Sequence, residues 1–512
     1  MAYKETLVDS TGKSKTLELR FHREARLRYQ AESVEDLLAD NYKLLKTILE
    51  HHQNIQRPRI QELLDYAEGN NHEVSKSGRR REEDMADVRA IHNFGKAIAT
   101  FKQGYLVGKP IQVEYNSGNE ESDKVVQTAL DELENKAGLH QLNRTLVLDL
   151  SKTGRAYELT YRATDDVTKS VKLDPLSTFV IYDTTTEKHS VAGVRYYNQN
   201  QFDDSKKTVE VYTADKIIKF DWSKDLKQID DDKPHSFGMV PITEYLNNSD
   251  GLGDYETELS LIDLYDSSQS DTANYMQDLS DAILAIVGRI SFPEDCDTAE
   301  KQIEFMRKMR KARLLNLEPP VDADGREGHV DAKYLYKQYD VSGTEAYKKR
   351  VVDDIHKFTM FPDMSDENFG GNQSGVALAW KTFALDQARV DMQALFEKSL
   401  RRRYKLIAAI GTVAKELTNF DITKLSFTFT PNLPTNATDI INNAKNLYGM
   451  VSDETVLGTL EAVTGVTKEI EMERIESAEE SASKLARQIE QNQRFSDKDL
   501  GQEVITDDDR AE

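Results

Sequence analysis

The 512-residue sequence contains one cysteine, Cys296, so neither an intrachain disulfide nor a cysteine-rich metal site can form. No apolar run nears the roughly 18 residues of a membrane span; the densest is AILAIV at 282–287. The opening MAYKETLVDSTGKSK has no apolar core of the sort a signal peptide needs. These gaps predict a polar, soluble protein made and folded in a reducing cytoplasm. Positive charge is also short: 67 Lys and Arg stand against 90 Asp and Glu, a formal net charge of −23. A surface that grips nucleic acid everywhere is thereby excluded, because tight phosphate binding needs cation arrays that displace counterions. An acidic wall suits the opposite task of repelling phosphates; the same charge also serves solubility alone.

Signatures of catalysis are missing too. The ten histidines form no HExxH or comparable ligand pair, and His51 and His52, being adjacent, would point to different sides of a helix. There is no G-x-S-x-G elbow, and Cys296 has no catalytic context. GYLVGKP (104–110) places three residues between its glycines where a phosphate-binding loop has four, and Pro110 stands where Ser or Thr would hold Mg²⁺. In DADG (322–325) the glycine comes too early for a calcium loop, and Lys333 occupies the position of the bidentate Glu. A tight turn is the expectation there, and no cofactor or metal is expected anywhere.

Length suggests about three domains. An α+β, predominantly helical chain is expected. Leu38, Tyr42, Leu45 and Leu49 form a helical stripe after Ser33, broken at Arg57-Pro58 and resumed to Gly69. A further helix is predicted with Val88, Ile91, Ile98 and Phe101 on one face, ending at Gly104 and passing into a strand, GKPIQVEY. Two helices follow to about residue 150. RAYELTYR, SVKLD, TFVIYD, VAGVRYYN, TVEVYT and IIKFDW then read as an antiparallel meander. Residues 254–281 read as a helix whose middle, DSSQSDT, has no apolar side chain; such a helix is solvent-bridging or lines something wet. Residues 282–340 mix strands with an amphipathic helix, and Tyr347, Val351, Ile355 and Phe358 mark another helix before Pro362.

A polar loop, MSDENFGGNQSG, begins at Met364. About forty residues follow it with Leu385, Met392, Phe396, Leu400, Ile407 and Ile410 on one face. Such a helix would be about 60 Å long. LSFTFTPNLP is a strand, 437–490 helical with turns near Gly449 and Gly465, and the acidic end EVITDDDRAE disordered.

Three basic clusters stand out: Arg79–Arg81, Arg307–Arg313 and Arg401–Arg403. In the second, Ile303, Met306 and Met309 make an apolar face, with Lys301, Lys308 and Lys311 away from it. Lys301, Arg307, Lys308, Arg310, Lys311 and Arg313 suit contact with DNA phosphates or an acidic partner, or else a solvated face paired with Glu300 and Glu304. Arg401–Arg403 are expected in subunit–subunit or intrachain ion pairs.

DENFGGNQSGVALAWKTFALD resembles the tunnel loop and long helix of tailed-phage portal proteins of the SPP1-like, Gram-positive type. EHHQNIQRPR, FKQGYLVGKPI, STFVIYD, LIDLYDSSQSDTANYM and KQYDVSGTEAYKKRVVDDIHKFT are similar to further elements of that family in the same order, over roughly residues 30–440. The resemblance implies a portal fold of wing, stem, clip and crown, twelve copies closing into a ring with a central channel. It implies a wing at 1–252, stem helices at 253–281 and 341–361, and a clip at 282–340. It further implies a tunnel loop at 362–375, a long wing helix at 376–420, and a crown with acidic tail at 421–512. Asp366, Glu367, Asn368, Phe369, Gly370, Gly371, Asn372 and Gln373 would face double-stranded DNA. Large terminase, a head-completion adaptor, major capsid and scaffolding proteins would be partners, without membrane. The place would be the portal vertex of the virion, after assembly in host cytoplasm. The competing expectations are a nucleotide-dependent DNA-processing ATPase and a non-channel head scaffold or adaptor.

Overall fold

The computed structural model describes residues 3–8, 13–78, 86–164, 167–278, 283–287, 289–290, 292–312, 317–321, 324–335, 340–363, 375–413, 420–432, 437–468, 470–478 and 480–484. They fall into two compact units, Met1–Phe369 with Lys381–Asn432, and Gly370–Trp380 with Leu433–Glu512.

The first unit opens with a hairpin of β1 (Tyr3–Val8) and β2 (Ser14–Leu19), then the short β3 (Tyr29–Gln30). Helix α1 (Val34–His51) starts where expected, the Ser33 hydroxyl accepting from the Asp36 amide. It breaks once, at Asp40, Asn41 and Tyr42, whose φ values of 50°, 57° and 63° are left-handed. The break shifts the buried stripe to Leu37, Leu45, Ile48 and Leu49, with Leu38 and Tyr42 at its edge. A π-turn at His52–Gln56 leads into α2 (Arg57–Glu68), which has Pro58 in its first turn and ends at the left-handed Gly69. As adjacency requires, the two histidines diverge: His51 bonds Tyr29 and Glu24, whereas buried His52 faces Tyr196.

The helix predicted from Val88 does not begin there. Residues 86–93 are non-helical, and α3 (Phe94–Val107) starts after Asn93, whose side chain caps Lys96. Nor does it stop at Gly104. A glycine inside a helix costs only about 1 kcal/mol, and the turn beyond it buries Tyr105, Leu106 and Val107. The expected strand shrinks to β4 (Gln112–Tyr115). Helices α4 (Glu120–Ala137) and α5 (Leu139–Thr153) follow, ended by left-handed Gly138 and Gly154.

The expected meander is divided between two sheets. β5 (Arg155–Arg162) pairs with β6 (Thr168–Leu173), while β7 (Thr178–Tyr182), β8 (Ser190–Asn200), β9 (Asp203–Tyr212) and β10 (Lys216–Asp221) run antiparallel in a second sheet. That sheet gains β11 (Lys227–Gln228) and β12 (Lys233–Pro234) on β10, and β3 parallel to β7. β13 (Ile242–Leu246) returns to β5, leaving β5 central and buried on both faces, which is why its sequence shows no alternation. The sheets meet across Tyr157, Leu159, Val180, Tyr212, Val240 and Ile242. Gly193 of β8 permits this contact: a Cβ there would lie 2.7 Å from the Ile242 side chain.

Next come α6 (Leu259–Asp278), β14 (Ile283–Val287), β15 (Arg289–Ile290), α7 (Ala299–Ala312), β16 (Leu317–Glu318), β17 (Asp331–Leu335) and α8 (Val341–Phe358). β14 pairs with β17 and β15 with β16, both antiparallel. α8 buries Val351 and Ile355 against α2, α3 and α6, but Tyr347 and Phe358 of its expected stripe stay exposed. α9 (Gly375–Val413) is the long helix, 39 residues. All six expected stripe residues from Leu385 to Ile410 are buried. Most of them meet α4, α5, β4 and β18 (Leu425–Thr428), which pairs with β4.

In the second unit α10 (Ala437–Leu447) and α11 (Asp453–Thr464) turn at Gly449 and end at left-handed Gly465, and residues 468–484 are helical where described. The acidic end, 503–512, lies outside the described residues.

Candidate functional site

The polar middle of α6 is not solvent-bridging on the face that matters most. Asp266, Ser270 and Asn274, spaced by four, are fully buried. Each accepts a backbone amide from the 86–93 segment: His92 N to Asp266 Oδ1 at 2.9 Å, Ala90 N to Ser270 Oγ at 2.9 Å, Val88 N to Asn274 Oδ1 at 2.7 Å. Four helical residues advance about 6 Å, and two extended residues advance about 6.6 Å. Every second amide of an extended strap therefore meets every fourth residue of the helix. The strap's donors are engaged by α6, so helix formation through Val88 and Ile91 is lost to a tertiary contact. Burial pushes the Asp266 carboxyl up in pKa, opposed by bonds from His92 and Asn71. At the near end Arg20 ties α6 to α2, holding Asp263 at 2.6 Å and Glu62 at 2.8 Å and donating to the Tyr66 hydroxyl. The faces away from the stripe expose Leu264, Asp271 and Met276.

The sequence signal for this stripe was present but incomplete. Small polar residues recur every four positions, yet only the strap's position reveals that they are buried.

After α8, His356 stacks on Phe361 with ring centroids 5.4 Å apart, and Phe101 meets Phe361 edge-on at 4.8 Å. His356 Nδ1 also bonds the Phe361 carbonyl at 3.1 Å. This aromatic clasp fixes the chain at Phe361, three positions before the polar loop begins at Met364. The loop candidates themselves, Asp366, Glu367, Asn368, Phe369, Gly370, Gly371, Asn372 and Gln373, lie outside the described residues.

On α7, Lys301 pairs with Asp297 at 2.6 Å and Lys308 with Glu304 at 3.0 Å, both exposed. Arg307 and Lys311 are exposed as well, while the Arg310 side chain and all of Arg313 lie outside the described residues. The apolar face stays largely uncovered within the chain: Ile303 is 55% and Met306 44% exposed, although Phe305 touches Phe292 edge-on. Cations and apolar groups thus sit on one accessible helix, which can take an acidic or apolar partner. Arg79–Arg81 lie outside the described residues.

The Arg401–Arg403 cluster resolves into three intrachain roles. Arg401 pairs with Glu397 at 2.7 Å. Arg402 donates to Ser190 Oγ and the Val240 carbonyl. Arg403 is buried, its Nε and Nη2 on Glu158 at 2.8 Å and its Nη1 on Asn143 at 2.7 Å. Burial opposes the Arg403 charge, but Glu158 more than offsets it and holds the guanidinium above its usual pKa. Among the described residues no group of His, Cys, Asp and Glu is arranged to hold a metal ion, and no helix is long and apolar enough to cross a membrane.

The family description "Phage portal protein, SPP1 Gp6-like" matches residues 46–485. The chain belongs to that family. This portal chain is 24% identical over 390 residues to the portal protein of Clostridium phage phiCD119, covering 73% of this chain and 81% of that protein. It is 23% identical over 333 residues to the portal protein of Bacillus phage SPP1, covering 62% of this chain and 61% of that one. Similar solved structures include a chain from "Neck of empty GTA particle computed with C6 symmetry", at 13% identity and TM-score 0.39, covering 70% of this chain and 86% of that one. A second comes from "Virion of native gene transfer agent (GTA) particle", at 12% identity and TM-score 0.39, covering 80% of this chain and 93% of that one. These last two likenesses carry no weight here.

Proposed function

We propose that the chain is the subunit of a closed ring at one capsid vertex, through which double-stranded DNA is packaged and later ejected. The observation that carries this is the family match over residues 46–485. In this reading 1–252 and the long helix form the wing, α6 and α8 the stem, and 282–340 the clip. Residues 362–375 form the tunnel loop, and the chain from about 421 forms the crown. Twelve head-to-tail interfaces close the ring.

The mechanism is physical. The acidic surface repels phosphates and keeps the duplex from adhering. The loop's Gly370 and Gly371 allow backbone excursions closed to larger residues, so Asp366, Glu367, Asn368, Asn372 and Gln373 touch the duplex loosely and hinder back-slippage. Burying one face of α6 against a strap leaves the other for a neighbouring copy or the channel. The basic, part-apolar α7 docks the large terminase, which hydrolyses ATP, and afterwards a head-completion adaptor. The subunit supplies shape and field, and it resides in the virion after assembly.

Electron microscopy of the purified protein tests this directly. Rings with a central hole are expected, without ATP hydrolysis by the protein alone. Persistent monomers absent from mature particles would overturn the reading, and intrinsic ATPase activity would favour the DNA-processing enzyme.

A further inference from the structure

A cavity of about 630 Å³ opens in the first unit, walled by α9, the loop before β8, and β13. Lysines and arginines outnumber carboxylates in its lining by six to two. Of the two carboxylates that reach it, buried Glu244 is held by Arg28 at 2.9 Å and by the Tyr182 hydroxyl at 2.7 Å, while Glu187 lies at the exposed rim, hydrogen-bonded to His189 at 2.6 Å. Lys188, Lys398, Arg402 and Lys405 also line it, and none has a carboxylate partner among the described residues.

Arg402 is the most telling of these. It is mostly enclosed by protein, yet among the described residues only its Nη2 is bonded, to Ser190 Oγ at 2.7 Å and the Val240 carbonyl at 2.8 Å. Its neighbour Arg403 has a carboxylate and an amide oxygen. Enclosure without an anion destabilises a guanidinium, and burial lowers the Arg402 pKa accordingly. Four unmatched positive charges around one concavity, in a chain of net charge −23, constitute an arrangement that an anion would complete.

We propose that this cavity binds a compact polyphosphate. Its charge density matches several convergent cations, and guanidinium forks suit phosphate oxygens. An acidic peptide is the weaker fit, because a strand edge free to anchor its main chain, one mode of extended-peptide binding, is not offered. Here the carbonyls of Val240 and Glu244 are taken by Arg402 and Ser399. A nucleobase also lacks a platform, since the Arg28 guanidinium sits 4.2 Å from the centre of the Tyr182 ring. The recognised part is therefore the phosphate chain, whether inorganic or carried by a nucleoside triphosphate. This proposal is independent of the ring and its DNA channel.

Calorimetry on the full-length protein with sodium tripolyphosphate tests it. Saturable binding is expected, weakened about tenfold or more by Lys398→Gln/Lys405→Gln, two exposed positions, a loss of about 1.4 kcal/mol or more. Arg402→Gln should also weaken it, while raising the melting temperature of the unliganded protein, because an unmatched enclosed charge is removed. ATP should bind about as tightly as tripolyphosphate. No saturable binding, or binding indifferent to the lysine pair, would overturn the proposal. So would much tighter binding of ATP, which requires a base site, or of a short DNA duplex, which assigns the cations to phosphodiesters.

Discussion

Arg403 and Glu158 show how a charged residue can be essential to a fold without touching any ligand. They lie on α9 and β5, 245 positions apart, both almost inaccessible. Removing one partner strands the other charge. Arg403→Met is expected to cost about 3–5 kcal/mol, read as a lowered denaturation midpoint. Arg403→Met/Glu158→Leu should recover most of that loss. The sequence showed Arg401–Arg403 as a basic run inside a helix, and ion pairing was a fair expectation. Which of the three would be buried was hidden, because Glu158 sits in RAYELTYR, a strand whose burial on both faces erases the usual alternation.

His52 carries a pH dependence with a definite sign. Burial, helped by Arg155, holds its pKa down at about 3 against an ordinary 6.5. Above the ordinary value neither state takes a proton there. Below it the unfolded chain is protonated and the fold is not, so stability falls by up to about 1.4 kcal/mol per pH unit. The loss ends near the folded value of about 3. Its Nδ1 bonds the Tyr196 hydroxyl at 3.0 Å while Nε2 has no partner among the described residues, so Phe replaces little besides that one bond. His52→Phe should flatten the acid limb of a pH–stability curve; an unchanged slope would remove His52 as its source.

At the scale of elements, the strap on α6 is held by three acceptors. Ser270→Ala and Asn274→Ala each leave a backbone amide unpaired, at a cost of about 1–3 kcal/mol apiece, with hydrogen exchange at residues 88–92 accelerating before the rest of the unit. The long helix was the most legible element. Its six apolar positions have the helical period and all are buried, since a period sustained over so many turns has few alternative solutions. Residues 86–93 were misread for a physical reason: Val88 and Ile91 have helical spacing, but α6 takes every second amide. Short periodic runs lose to such tertiary contacts.

The polar loop and the basic, part-apolar α7 can be read from the residues, whereas the roles proposed for them come from family resemblance. Deleting Phe369–Gln373 should impair DNA packaging or retention while rings still form, measured by DNA content of particles and by microscopy. Normal packaging by that variant would remove the loop's role. Lys308→Ala/Arg310→Ala/Lys311→Ala should weaken binding of terminase or adaptor, read by pull-down and titration; undiminished affinity for both would leave α7 a solvated helix.

For the whole molecule, the α+β class with long helices follows from periodicity and composition, and the splitting of the β-strands into two sheets does not. Gly193 is the clearest reason: its lack of a side chain matters only once Ile242, 49 positions later, folds back against it. Ile303 and Met306 stay accessible on α7, the face that the proposed docking would cover.

The strap's contact with α6 has a consequence for tolerance to change. Its contribution is made by main-chain amides, which every residue but proline possesses. Side chains at 88 and 90 can therefore drift across many types while 270 and 274 remain confined to small acceptors. A saturation library selected for viable phage should display that asymmetry, with proline at 88, 90 or 92 the replacement in the strap that behaves like a change in the helix.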